Sequence, residues 1–241
     1  MLKLNALKAQ TFHVGINTGY YASFLFNKSI STAAADTEYV FTGSQTFGLS
    51  GAYYFDFGGY YHRKIYGIKL EGIFANHYQN MRVFPSEGAA NPNVFYKYKI
   101  RLQFVDVPLL FTLCSTHHQG VSFELGPQIS FLQSANVKLT ETRVNAPPIP
   151  VLSKNNFQNV SFSGVIGLGI FYSFSENLAL SSTIRGGYGF TDLTKNINAD
   201  KRYFPTHRFW TGLNIQLLYK FNKYDTKRNK GYKYYLKNSR K

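Results

Sequence analysis

The sequence predicts an all-β chain: an eight-stranded antiparallel up-and-down barrel that crosses a membrane. Three observations predict it. Apolar and polar residues alternate with a period of two through eight separate segments, the pattern of strands with one apolar face. The connections between them are alternately long and short, as in transmembrane barrels with short periplasmic turns and longer extracellular loops. Aromatics reach 17%, with 22 Phe and 19 Tyr, while charged residues are only 16%, below the roughly 25% of ordinary soluble domains.

The first segment, about Thr11–Phe24, sets Phe12, Val14, Ile16, Thr18 and Tyr20 against His13, Gly15, Asn17, Gly19 and Ser23. The second, Thr46–Phe57, sets Phe47, Leu49, Tyr53 and Phe55 against Gly48, Ser50 and Ala52. The third, Ile65–Tyr78, opposes Tyr66, Ile68, Leu70 and Phe74 to Lys69, Glu71 and His77. The fourth reads "FYKYKIRLQFVDVPLLFTL". Tyr98, Ile100, Leu102 and Phe104 share a face opposite Lys97, Lys99, Arg101 and Gln103; then the phase reverses, with Val107, Leu109, Phe111 and Leu113 apolar and Asp106 polar. A β-bulge near Phe104-Val105 would produce that slip. Pro108 follows, where a lost ladder hydrogen bond is tolerated.

The fifth segment, Gly120–Gln133, opposes Val121, Phe123, Leu125, Ile129 and Phe131 to Ser122, Glu124, Gln128 and Ser130. The sixth, Asn159–Phe174, opposes Phe162, Ile166, Leu168 and Ile170 to Ser161, Ser163, Gly167 and Gly169. The seventh, Leu178–Phe190, sets Leu180, Ile184 and Tyr188 against Thr183, Arg185 and Gly187. The eighth, His207–Phe221, sets Phe209, Leu213, Ile215, Leu217, Tyr219 and Phe221 against Arg208, Asn214, Gln216 and Lys220. The long connections, centred near Thr37, Pro85, Pro147 and Asn198, follow the odd segments; "GGYYHRK", "STHHQG" and "SEN" follow the even ones.

With apolar faces against lipid, the polar residues line a narrow interior in which Gly and Ser relieve crowding. The doublets Tyr20-Tyr21, Tyr53-Tyr54, Tyr60-Tyr61 and Phe95-Tyr96 read as interfacial girdles. A soluble lipocalin-like carrier would need the same strands turned inside out, because the period alone does not distinguish inside from outside. No run approaches the ~18 apolar residues of a transmembrane helix. The lone Cys114 excludes an intrachain disulfide and a cysteine-based metal site. Residues 1–10, "MLKLNALKAQ", read as a signal-peptide remnant, residues 11–221 as the barrel and residues 222–241 as a basic tail.

The segments "FVDVPLLF", "FELGPQISFLQSA" and "GLGIFYSFSENLALSSTIRGGYGFTDL" resemble the PorT-like outer-membrane β-barrel proteins of Bacteroidetes-type bacteria, over about residues 11–221. The resemblance implies an eight-stranded barrel, a cleaved signal peptide and an outer-membrane location. The family's named member serves type IX protein secretion. Such barrels usually end at the final aromatic, here Phe221, but this chain continues with "NKYDTKRNKGYKYYLKNSRK".

Two constellations follow. The polar faces place Lys69, Glu71, Lys99, Arg101, Asp106, Glu124, Arg185 and Arg208 in the lumen, where charges of both signs would pair as a structural network. The tail carries eight Lys/Arg against Asp225, net +7 of the formal +15. Its contact candidates are Lys223, Lys227, Arg228, Lys230, Lys233, Tyr234, Tyr235, Lys237, Arg240 and Lys241. An even strand number puts it in the periplasm, where an anionic surface or acidic partner suits it and nucleic acid does not. No catalytic, cofactor or metal residue is expected: His117-His118 sit in a short turn, no H-x-S occurs, and "GVIGLG" and "RGGYG" fall within strands. The expected function is a non-enzymatic outer-membrane barrel, contacting outer-membrane lipid and an envelope protein partner, as an accessory subunit of an envelope assembly or a surface-interaction protein. The alternatives are a lipid-modifying or hydrolytic barrel enzyme and the lipocalin-like carrier.

Overall fold

The computed structural model describes residues 9–27, 37–40, 42–56, 65–83, 96–115, 119–141, 154–175, 177–195 and 206–222. Among the described residues nine strands run β1 (Ala9–Asn27), β2 (Thr37–Val40), β3 (Gly43–Asp56), β4 (Ile65–Val83), β5 (Tyr96–Cys114), β6 (Gln119–Glu141), β7 (Val160–Ser173), β8 (Leu178–Gly189) and β9 (Thr206–Asn222). A 3₁₀ turn, Lys154–Asn156, precedes β7. Of residues 1–10, read from the sequence as a signal-peptide remnant, Ala9 and Gln10 belong to β1, paired with Asp56 and Phe55; the others, the turn histidines His117 and His118, and every tail candidate from Lys223 to Lys241 lie outside the described residues.

Eight of the strands are staves of a closed antiparallel barrel. Each pairs with the next, and β1 closes on β9 from Thr11–Asn222 to Asn27–Thr206. β2 is not a ninth stave. It pairs with β4 from Thr37–Val83 to Val40–Asn80 and so continues the line of β3, which starts at Gly43; this short strand lies inside a connection read from sequence as loop. Stepping across paired residues from Thr11 through Tyr54, Gly67, Thr112, Glu124, Gly167, Arg185 and Gly212 returns to β1 at Tyr21, ten positions on. With standard strand spacings, that stagger on eight staves gives a tilt of about 40° and a Cα radius of about 8 Å.

Outside, the barrel is apolar. Leu168, Ile184, Leu213, Ile215 and Leu217 are exposed, Ile184 at 67%. On β9 the outward apolar run extends from Phe209 to Phe221, about 30 Å along the barrel axis at that tilt, enough for a bilayer's hydrocarbon and its borders. The tyrosine doublets divide between the faces, because adjacent strand residues point opposite ways. Tyr20 faces out and Tyr53 lies partly exposed, while Tyr21 and Tyr54 are buried inside; Tyr60, Tyr61 and Phe95 lie outside the described residues.

The phase slip read in β5 does not exist, and two assigned lumen charges move outside with it. Even-numbered residues of β5 face inward from Ile100, Leu102 and Phe104 through Asp106 to Thr112 and Cys114. Lys99 and Arg101 are exposed on the outer wall. The bulge sits in the partner strand instead: Gln103 opposes Ser134 and Phe104 opposes Leu132, so Gln133 of β6 is the extra residue. The pattern reverses because the surroundings change. Beside lipid, β5 shows Val107, Leu109 and Phe111 outward; beyond the belt the outside is wet, and Ile100, Leu102 and Phe104 turn to an interior cap with Leu25, Leu132, Val137, Phe157 and Leu193. Burying such side chains stabilises by about 1.5–3 kcal/mol each, whereas Lys99 and Arg101 in that apolar cap would be unpaired buried charges.

Candidate functional site: a lumen crossed by ion pairs

At the terminus end, where the short connections also lie, apolar side chains fill the lumen: Ala52, Tyr54, Ile65 and Cys114 on one side, Phe171, Ala179 and Leu218 on the other. The next layer is a buried quartet of charges. Arg185 on β8 and Glu71 on β4 come from diametrically opposite staves, so their pair spans the barrel. Arg185 Nη1 lies 2.6 Å from Glu71 Oε2, and Nη2 donates to Glu71 Oε1 at 2.8 Å. Its Nε donates to Glu124 Oε2 at 2.8 Å.

Lys69 completes the quartet. Its ammonium pairs with Glu124, lies 3.2 Å from Glu71 Oε1 and donates to Gln216 Oε1 at 3.2 Å. The Gln216 amide donates to Glu71. Two cations meet two carboxylates, each with partners on both sides, which is the condition under which charges can be buried. Gly167 makes room: a Cβ there would stand 2.9 Å from Thr183 Cγ2 and 3.1 Å from Arg185 Cγ. Among the described residues the hydroxyls of Ser50, Thr112, Ser122 and Thr183 have no protein partner, so ordered water is their natural complement.

Above the quartet, Tyr21 stacks on Trp210, ring centroids 4.7 Å apart, packed with Leu110 and Val165. Each ring lies over a glycine, Tyr21 on Gly212 and Trp210 on Gly187, where a Cβ would occupy the ring's place. A second polar layer follows. Arg208 on β9 again reaches the opposite stave, 3.5 Å from Asp106 Oδ1 on β5. It donates to Ser130 Oγ at 2.7 Å and lies 3.2 Å from His77 Nε2. Its guanidinium sits over the Phe104 ring at 4.5 Å.

The apolar cap closes the loop end. Asp192 Oδ1 accepts from the Thr194 and Thr206 amides at 3.0 and 2.9 Å, which draws Leu193 over the lumen. Where β3 stops, Gln79 of β4 reaches β1 directly, accepting from Leu25 N at 2.7 Å.

Of the eight residues assigned to the lumen from sequence, the structure therefore gathers Lys69, Glu71, Glu124 and Arg185 in one layer and Asp106 and Arg208 in another. It places Lys99 and Arg101 elsewhere. Gln216, His77, Ser130 and Tyr21 belong to these layers but are not among the eight residues assigned to the charge network. Alternation put Gln216 and Ser130 on the polar face, but nothing local distinguishes a lumen residue that bonds a charge from one that does not. Among the described residues no group of His, Cys, Asp and Glu could hold a metal ion.

Solved structures similar to the chain include the attachment invasion locus protein Ail of Yersinia pestis, at 12% identity over 87% of this chain and 99% of Ail, TM-score 0.36. Another is the outer membrane protein OprG from Pseudomonas aeruginosa, at 14% identity over 89% and 96%, TM-score 0.41. A third is the outer membrane protease OmpT from Escherichia coli, at 7% identity over 90% and 98%, TM-score 0.32. No curated protein matches the sequence. The profile of the outer membrane protein beta-barrel domain matches residues 8–195 of the 241. With most of its length matched by that profile and its eight staves closed around a polar lumen, the chain belongs to the outer membrane protein β-barrel family.

Proposed function

We propose that this barrel is non-enzymatic and serves as an accessory or surface-interaction subunit of an envelope assembly, with its termini in the periplasm and its long connections outside. The observation that carries the reading is the lumen. Two arginines reach across it, Arg185 to Glu71 and Arg208 to Asp106, and apolar layers lie at both ends. Such an interior supports a scaffold rather than a conduit, and wide aqueous channels need nearer sixteen strands. The interacting parts are then the loop-end wall and the basic tail. The PorT-like resemblance adds protein secretion as the candidate assembly.

Co-purification from gently solubilised membranes tests the proposal. A stoichiometric envelope protein is expected to accompany the barrel. A barrel recovered alone, with altered lipid A mass spectra in a strain lacking the gene, would replace this reading with the lipid-modifying enzyme.

A further inference from the structure

We propose that the outer wall of β4, β5 and β6, just beyond the apolar belt, binds the phosphate of an outer-leaflet lipid headgroup through Lys99, Arg101 and Lys138. The outward rungs show where the belt ends. Phe74, Val105 and Phe131 form the last apolar rung. The next is polar: Gln103 donates to Asn76 Oδ1 at 2.9 Å and accepts from Ser134. After it come Tyr78–Arg101–Asn136 and Asn80–Lys99–Lys138.

Three features of these rungs call for an anion. Lys99 stands directly opposite Lys138, an arrangement that destabilises a sheet unless something negative lies between the two. Lys99, Arg101 and Lys138 are exposed and have no acidic partner among the described residues. Arg101 is held against the wall by the Tyr78 ring, 5.3 Å from its guanidinium carbon, which leaves its fork of donors for a phosphate.

Depth selects the partner. Arg101 lies four residues beyond Val105 on β5, about 10 Å further along the barrel axis. Snorkelling back, Arg101 reaches the headgroup zone, which extends roughly 5–8 Å past the hydrocarbon, while Lys99 and Lys138, one rung and about 5 Å further out, reach its outer edge. The bulge at Gln133 serves the same face: it shifts β6 so that Asn136 and Lys138 point outward beside Arg101 and Lys99 while Val137 stays inside. A phosphorylated glycolipid that meets three cations on one flat wall fits this chemistry.

The inference rests on the orientation proposed above, so binding is measured on the purified, refolded full chain in detergent micelles, where orientation plays no part. The probes are lipid A carrying its phosphates and the same lipid A with its phosphates removed. Lys99→Gln/Arg101→Gln/Lys138→Gln is expected to bind phosphorylated lipid A roughly a hundredfold more weakly than the parent, from about a fivefold loss per cation. Lys154→Gln/Lys195→Gln, which removes loop-end cations off this wall, is expected to bind as the parent does. Heat-modifiable gel migration shows that each variant is folded, and if the triple variant does not fold, Lys99→Gln/Lys138→Gln and Arg101→Gln are each expected to show part of the loss. Equal binding by the triple variant and the parent, or equal binding of dephosphorylated lipid A, overturns the proposal. Displacement by inorganic phosphate at the lipid's own concentration also overturns it, in favour of a free-phosphate site. Surface labelling of intact cells at the same wall reads the orientation separately.

Discussion

Replacing Arg185 by methionine tests whether the quartet is a sealed, charge-balanced plug. Arg185 is 1% exposed and holds both carboxylates, Glu71 through two contacts at 2.6 and 2.8 Å and Glu124 through Nε at 2.8 Å. Methionine keeps the unbranched stem and removes the guanidinium, so the main change is electrostatic: Lys69 alone is left to balance Glu71 and Glu124. Breaking a buried pair by removing one partner costs about 3–5 kcal/mol, because the remaining charge has no compensation. The double variant Arg185→Met/Glu71→Gln restores neutrality with the Lys69–Glu124 pair intact, and is expected to recover at least about 2 kcal/mol of that loss, the order of a coupling energy between residues in contact. Equilibrium unfolding in urea from lipid vesicles measures both. The single tryptophan, Trp210, stacks on Tyr21 beside the quartet and serves as the fluorescence probe. An Arg185→Met variant within about 1 kcal/mol of the parent would show that lumen water screens these charges as it screens exposed pairs. A double variant no more stable than the single one would show that the loss comes from packing. Either result refutes the plug.

The reversal of environment along the barrel predicts opposite tolerances. Ile184→Arg, on the lipid face, should cost about 2–4 kcal/mol in the same unfolding assay, whereas Lys99→Leu, on the wet wall, should stay within about 0.5 kcal/mol. Among glycines, Gly169→Val should prevent folding to a heat-modifiable band, since a Cβ there would overlap the Ser182 carbonyl; Gly72→Ala, with nothing within 4 Å of its Cβ position, should stabilise by about 0.4–1 kcal/mol through the unfolded chain. Protease added to intact cells should cut in the connections near Pro85, Pro147 and Asn198, and first cleavage at His117-His118 would invert the proposed topology. Deleting residues 222–241 should leave a heat-modifiable barrel while removing salt-sensitive partners; unchanged partners would exclude the tail as a tether.

Alternation by itself determined the staves. A period of two in β1, β7, β8 and β9 states which residues share a face, and the membrane turns that pattern outward, so Leu213, Ile215 and Leu217 were legible as wall and Asn214 and Gln216 as lumen. The long and short connections carried the even strand number. What alternation cannot carry is depth. Ile100, Leu102 and Phe104 look the same whether lipid lies outside them or an apolar cap lies inside, and only the tertiary structure, by placing that end of β5 beyond the belt, decided that they face in and that Lys99 and Arg101 face out. Nor does a local pattern reveal which lumen residues meet. Arg185 and Glu71 are 114 positions apart, and they touch because a ten-residue stagger around eight staves brings β4 and β8 level across the lumen. The sequence supplied the polar faces; closure of the barrel, which sets tilt, height and opposition together, chose the pairs.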